Sequence, residues 1–214
     1  MNNQLINYTL FLADNALILG QRNSEWCGHG PVLEQDIAIT NISLDLIGQA
    51  RNFYQYAASL IGGDATEDSL AYLRTERAFK NLLLTEQPNG DWATTTLRQF
   101  FFSTYQYFLY QQLQSSSDAQ LGAIAEKALK EVTYHLRWSS EWIIRLGDGT
   151  EESKDRMIAA IEELWRFTGE LFIPADYETA AAIEGYGVEM IALQQPWTQK
   201  IKDIFEEATL PVPK

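Results

Sequence analysis

The sequence is poor in cysteine and has no N-terminal targeting pattern. Among 214 residues there is one cysteine, Cys27. A single cysteine excludes an internal disulfide, and its rarity is typical of a protein from a reducing compartment. The first residues contain no basic segment, and Asp14 interrupts them before any apolar run reaches the length of a signal peptide. We therefore expect a cytoplasmic protein.

Positive charge and long apolar runs are also scarce. The chain has 16 Lys and Arg against 29 Asp and Glu, a net charge of -13. Such an acidic chain repels nucleic acid, so we expect no nucleic-acid partner. The longest uncharged window, residues 99–117, contains many Gln, Ser and Tyr residues and is too polar to cross a bilayer. The one basic run, Arg74, Arg77 and Lys80, has helical spacing and predicts a solvated face.

The chain does contain helical periodicity over most of its length. No segment alternates with the period of a strand, and glycine is concentrated at the predicted helix ends. The pattern predicts one all-α domain over residues 1–214, a ferritin-like bundle of long helices with additional shorter ones. Helices are predicted over residues 4–21, 31–61, 92–114, 119–146, 150–172, 177–184 and 196–208, with one or two shorter helices between 69 and 86.

The helix predicted from Pro31 is the longest and the most apolar. Two apolar stripes run along it, which predicts burial on more than one side. The first stripe comprises Leu33, Ile37, Leu44 and Ile47, and the second comprises Ile42, Leu46, Ala50, Phe53, Ala57 and Leu60. Between them lies a line of four polar residues, Asn41, Asp45, Gln49 and Asn52. This polar line faces either water or the interior of a bundle, where inward carboxylates and amides can form a metal site or a polar network.

Long helices with inward carboxylates suggest the di-iron carboxylate architecture. That site takes a Glu from each of two helices and a Glu-x-x-His pair from each of two others, so it needs two helical histidines. This chain has two histidines in total. His29 lies in a Cys-Gly-His-Gly turn, and only His135 lies in a predicted helix.

The two positions where such pairs belong have both lost the histidine. Gly48 follows Asp45 by three residues, and Tyr134 follows Glu131 by three. His135 is four residues after Glu131, a spacing that favours a helix-stabilising contact between the two over metal ligation. No phosphate-binding loop, nucleophile elbow or cysteine–histidine cluster is present. We therefore expect no catalytic, cofactor-binding or metal-binding residues in this chain.

Three segments carry a resemblance to a known family. EWCGHGPVLE, LDLIGQAR and LLLTEQPNGDW are long enough to be specific, and the matching regions cover most of the chain in order. On these segments the sequence resembles the PaaC family, which supplies a ferritin-like component of bacterial ring-1,2-phenylacetyl-CoA epoxidases. The resemblance implies a multicomponent monooxygenase of phenylacetate degradation. Members of this family continue for a few tens of residues beyond Lys214, so a C-terminal helical segment is expected to be missing.

The resemblance also implies how the work is divided among subunits. A related ferritin-like subunit holds two irons and uses O2 to epoxidise the aromatic ring of the CoA thioester, and electrons arrive from NADPH through a reductase with flavin and iron–sulfur groups. The subunit similar to this chain lacks iron and pairs side by side with the catalytic one. The predicted interface is the outward stripe of the helix that starts at Pro31, or the aromatic-rich helix over residues 92–114.

A polar network is expected where the metal would lie. Buried polar groups must hydrogen-bond to one another or they destabilise the fold. The predicted members are Asp14, Asp45, Gln49, Glu131 and His135. Two alternatives remain open: an oxygenase or oxidase with an atypical one-histidine metal site built from Asp14, Asp45, Glu131 and His135, and a free-standing helical binding module.

Overall fold

The computed structural model describes residues 3–213. Within them there is no strand, and the predicted all-α fold is confirmed. The helices are α1 (Asn3–Ser24), α2 (Leu33–Ile61), α3 (Glu67–Tyr72), α4 (Leu83–Glu86), α5 (Trp92–Leu113), α6 (Ala119–Gly147), α7 (Glu151–Leu164), α8 (Asp176–Ile183) and α9 (Ile191–Glu207). Across this part of the chain no helix combines the length and apolarity needed to cross a membrane.

The helix boundaries follow capping chemistry where capping residues are present. Asp91, predicted as a cap, accepts a hydrogen bond from the backbone N–H of Thr94 and starts α5. Several predicted bounds differ from the structure, and the largest difference at a helix end is that of α7, which ends at Leu164 instead of residue 172. Helix α2 begins at Leu33, two residues after Pro31. Helix α9 begins at Ile191, so Pro196 is its sixth residue and lies inside it instead of starting it. At this position proline lacks the N–H that would donate to the carbonyl of Ala192.

Two antiparallel helix pairs form the bundle. In the first pair Gly20 of α1 lies against Leu46 of α2, while Asp14 reaches Tyr54 further along α2. Helices α5 and α6 form the second pair, and α2 packs against α6 to join the two pairs. The joint between α2 and α6 therefore lies near the centre of the four long helices.

Helix α5 is the most completely buried long helix. Helices α6, α7 and α9 cover it, and its aromatic residues Phe100, Phe101 and Tyr105 are inaccessible or nearly so. Little of this helix is therefore accessible to a partner, although Tyr107 and Phe108 are only half-buried, and its role as an interface stays a prediction. Its aromatic residues serve the core of this chain, with ring pairs such as Phe101 with Trp197 at 5.6 Å between centroids.

The two stripes of α2 differ in exposure. The second stripe enters the core, with Ile42, Leu46 and Phe53 fully buried. The first stripe points away from the chain: Leu33 is 71% exposed and Leu44 is 61% exposed. The expected burial of both stripes is thus wrong for this chain alone, because α1 and α6 cover only one side of α2. We call Leu33, Ile37, Leu44 and Ile47 the outer stripe.

Candidate functional site

The predicted polar residues of α2 face α6 across the joint between the helix pairs. Nε2 of His135 lies 2.9 Å from Oδ2 of Asp45. One turn further along, the amide Nε2 of Gln49 donates to Oε2 of Glu131 at 2.9 Å. In both helices the two residues are four apart, so antiparallel packing brings the pairs into register. We call these four residues the α2/α6 seam.

A residue that sequence reasoning missed extends the seam into α5. The amide of Gln106 lies 3.4 Å from Oε1 of Gln49 and 3.2 Å from the hydroxyl of Tyr110. Gln106 is 1% exposed. The signal was present in the sequence, because Gln106 is a polar residue between Tyr105 and Tyr107 in the aromatic-rich helix. A polar side chain in such a stretch needs a buried partner.

The seam is buried on one side and open on the other. His135 and Gln49 are buried, whereas Glu131 is half-buried and the Asp45 side chain is 37% exposed. Oδ2 of Asp45 accepts a hydrogen bond from the Nε2–H of His135. No residue from 3 to 213 hydrogen-bonds to the other ring nitrogen, Nδ1. The predicted contact between Glu131 and His135 within α6 is replaced by contacts across to α2, because both side chains point at the neighbouring helix.

Asp14 does not share the hydrogen bonds of the seam. Its carboxylate accepts from the hydroxyl of Tyr54 at 2.6 Å, from the guanidinium of Arg74, and from the backbone N–H of Lys80 at 2.8 Å. The grouping of Asp14 with the other four predicted residues is therefore corrected. The physical reason is charge: a fully buried carboxylate needs a cation, and Arg74 supplies one.

The ion pair between Arg74 and Asp14 also shows that the prediction of a solvated basic face is wrong for Arg74. The side chain of Arg74 is only 13% exposed, and its guanidinium lies 4.2 Å from the centroid of the Phe79 ring. Arg77 of the same run is exposed. The segment after α3 thus packs onto α1 through one buried ion pair, which local helical spacing does not indicate.

The donor set of the seam does not fit a dinuclear iron centre. That centre needs four carboxylates and two histidines from four helices. Here two carboxylates and one imidazole face each other, Gln49 and Gln106 contribute amides, and Asp14 is bound to Arg74. Among residues 3–213 no three or more His, Cys, Asp or Glu side chains are grouped so that they could hold a metal ion. The structure also does not bring Asp14 to the other three residues that the one-histidine alternative requires.

The fold and the seam define a ferritin-like helical bundle whose polar interior, as far as residues 3–213 form it, does not fit the ligand set of paired irons. A family model described as Phenylacetic acid catabolic protein matches residues 1–214, and the chain belongs to that family. It is 51% identical over 212 residues to the C-type subunit of 1,2-phenylacetyl-CoA epoxidase from Escherichia coli (strain K12). The match covers 99% of this chain and 85% of that protein. The resemblance seen in the sequence motifs is confirmed.

Proposed function

We propose that this chain is a structural, non-catalytic subunit of a phenylacetyl-CoA ring-epoxidising monooxygenase. In this role it pairs with a di-iron catalytic subunit of the same fold and stabilises it. The observation that carries the proposal is the outer stripe of α2, an exposed apolar helix face on a chain whose seam has no donor set for paired irons. The similarity to a protein named as an epoxidase subunit supports the same role.

The outer stripe has the properties of a helix-packing surface. From Leu33 to Ile47 it extends over roughly 20 Å of helix at 1.5 Å per residue. Ile37 and Ile47 are 51% and 38% exposed. Burying a large aliphatic side chain contributes roughly 1.5–3 kcal/mol, so covering the stripe supplies a substantial part of the free energy of a stable pair. Apolar patches of this kind mark protein–protein interfaces.

The proposal assigns the reactive chemistry to the other components. The catalytic subunit holds the di-iron centre and acts on the CoA thioester, and NADPH, flavin and iron–sulfur groups belong to the reductase. This chain contributes a rigid bundle in which Asp45, Gln49, Glu131 and His135 join α2 to α6, so the outer stripe of α2 is presented on a fixed helix. It needs no cofactor of its own for that task.

Co-expression with the related di-iron catalytic subunit tests the pairing. The variant Leu44→Asp places a charge in the middle of the outer stripe. Desolvating that charge in an apolar interface weakens the complex by more than about tenfold, or roughly 1.4 kcal/mol. The measurement is the dissociation constant of the purified pair, with the circular dichroism and thermal unfolding of the isolated variant as a check of its fold.

A matched control is Ile183→Asp, which introduces the same change at a residue that is 82% exposed on α8. We expect this variant to bind the catalytic subunit like the original chain. Equal affinities for Leu44→Asp and the original chain would show that the outer stripe is not the interface. Failure of the original chain to form any complex would refute the pairing itself.

A further inference from the structure

A cleft opens between α8 and the start of α9, away from the α2/α6 seam. Its volume is about 410 Å³, which lies within the range of small-molecule sites. The walls are mostly apolar and include Ala182, Val188 and Met190. Two carboxylates also line it: Glu178, which is 6% exposed, and Glu189, which is exposed at the rim. A ligand that fits this cleft needs an apolar part for the walls and a polar group for the buried carboxyl.

Glu178 has only part of the partners that a buried carboxylate requires. One oxygen, Oε2, accepts a hydrogen bond from the backbone N–H of Ala175 at 2.8 Å. Among residues 3–213 no lysine or arginine forms an ion pair with this side chain. Lys80, on the neighbouring segment, instead lies over the Tyr177 ring at 5.1 Å from its centroid. Asp14, the other deeply buried carboxylate described above, does have such a cation.

The groups around Glu178 add no positive charge either. Tyr8 of α1, Tyr105 of α5 and Tyr177 of α8 lie close enough to interact electrostatically with it, and Glu170 is the neighbouring acid. Burial, with a smaller contribution from Glu170, raises the pKa of Glu178 to about 7. All these neighbours are neutral or negative at neutral pH, so none of them balances the charge of the Glu178 carboxylate, and burial favours its protonated form until a cation is supplied.

We propose that the cleft binds a small organic cation, an alkylammonium or alkylguanidinium, whose charged head pairs with Glu178 and whose apolar stem lies against Val188 and Met190. The cation supplies the partner that residues 3–213 do not, and its N–H groups form charge-assisted hydrogen bonds to the carboxylate. The stem replaces water on the apolar walls. This site is separate from the outer stripe and does not depend on the pairing proposed above.

Titration of the purified chain with n-butylguanidinium and with the neutral analogue n-butylurea tests the proposal. The two probes share a stem and differ in the charge of the head. We expect saturable binding of n-butylguanidinium, at least about tenfold tighter than that of n-butylurea at pH 8. At pH 6, where Glu178 is mostly protonated, the preference for the cation falls. Chemical shifts of backbone amides in α8 and α9 report the location.

The variant Glu178→Gln separates the charge of Glu178 from its role in the structure. Glutamine still accepts the hydrogen bond from Ala175 that caps α8, so the fold is retained while the preference for the cation disappears. Glu189→Gln, at the exposed rim, is the matched control and reduces affinity by much less. Equal binding of the two probes by the original chain, or no saturable binding of either, would overturn the proposal without recourse to any variant. A preference for the cation that persists in folded Glu178→Gln would also overturn it.

Discussion

At the scale of single residues, the carboxylates of this chain are distinguished by what surrounds them. Asp14 and Glu178 are both buried, but Asp14 has Arg74 and two further hydrogen-bond donors, whereas Glu178 has one backbone N–H. Asp45 also has a partner, Nε2 of His135 at 2.9 Å, yet its side chain is 37% exposed. The contribution of each carboxylate to stability therefore depends on its exposure and on its hydrogen-bond donors and neighbouring cations.

Asp14→Ala is expected to be strongly destabilising. The substitution leaves the guanidinium of Arg74 largely buried without its counter-ion and removes the acceptor for Tyr54, so the free energy of unfolding decreases by about 3–5 kcal/mol. Urea denaturation measures it. The comparison variant Asp45→Ala removes the hydrogen-bond acceptor of the buried His135 and costs about 1–3 kcal/mol, less than Asp14→Ala because it leaves no buried guanidinium without a counter-ion. Similar losses for both variants would contradict the distinction drawn here.

Glu178 is expected to make stability depend on pH in the opposite sense to an ordinary ion-paired acid. Burial raises its pKa from 4.5 to about 7 in the folded chain, so the folded state holds the proton more tightly than the unfolded state. Its contribution to stability is therefore full below about pH 4.5 and is lost as the pH rises to about 7.

Comparison with Glu178→Gln isolates this contribution. The neutral side chain does not titrate, so the original chain loses stability relative to the variant between pH 4.5 and 7. The loss is about 1.4 kcal/mol per unit of pKa displacement. Chemical denaturation of both proteins at several pH values gives the difference. A constant difference over that range would show that Glu178 has an ordinary pKa when folded.

The sequence predicted some of these residues and not others for a physical reason. Asp45 and Gln49 were found because they fall on one line of a long helix, and Glu131 and His135 because one turn separates them. Arg74 and Gln106 belong to no such polar line: Arg74 stands in a basic run that predicts a solvated face, and Gln106 stands alone among aromatic residues. Their partners lie 60 and 57 residues away. Periodicity within a helix carries no information about such distances.

At the scale of elements, close backbone approach fixes how the helices meet. Helix α6 ends at Gly147 against the residue that follows α9, and a Cβ at Gly147 would lie 2.5 Å from the carbonyl oxygen of Ala208. Gly48 on α2 has the opposite surroundings, since a Cβ there would meet nothing within 4 Å. The two glycines therefore form a matched pair for testing this packing.

Gly147→Ala is expected to separate the ends of α6 and α9 and to destabilise the chain by about 1–3 kcal/mol, because backbone atoms must move. Gly48→Ala only adds helix propensity and is expected to stabilise the isolated chain by roughly 0.5–1 kcal/mol. Thermal unfolding of the two variants measures both the expected loss and the expected gain of stability. If Gly147→Ala were as stable as the original chain, the contact with Ala208 would not be close in solution.

The helices were predicted well where the apolar periodicity continued over many residues. Helices α1, α5 and α6 end within about three residues of their predicted bounds. The region between α2 and α5 was less predictable, because α3 and α4 are short and their connection is held by Arg74 and by Asn15, whose side chain accepts from the backbone N–H of Leu82. Helix α9 was shortened in the prediction because Pro196 was taken as its first residue.

At the scale of the whole molecule, the outer stripe of α2 is the main feature that the sequence left undecided. An apolar stripe has the same pattern whether it is buried within a chain or between chains. Only the packing of α1 and α6 around α2 shows that Leu33, Ile37 and Leu44 face outward in this chain, with Ile47 at the edge of the stripe beside Gly20 of α1. That exposure is one basis of the proposed supporting role. The other is that the α2/α6 seam has fewer carboxylates and imidazoles than a dinuclear iron centre needs.

Iron analysis of the separated polypeptides tests this role most directly. The chain is co-expressed with the related di-iron catalytic subunit that we propose as its partner, the complex is purified, and the two polypeptides are separated under conditions that retain bound metal. The account predicts iron with the catalytic subunit and only trace metal with this chain, whether alone or in the complex. Stoichiometric iron bound to this chain, lost on substitution of Glu131 and His135, would contradict it.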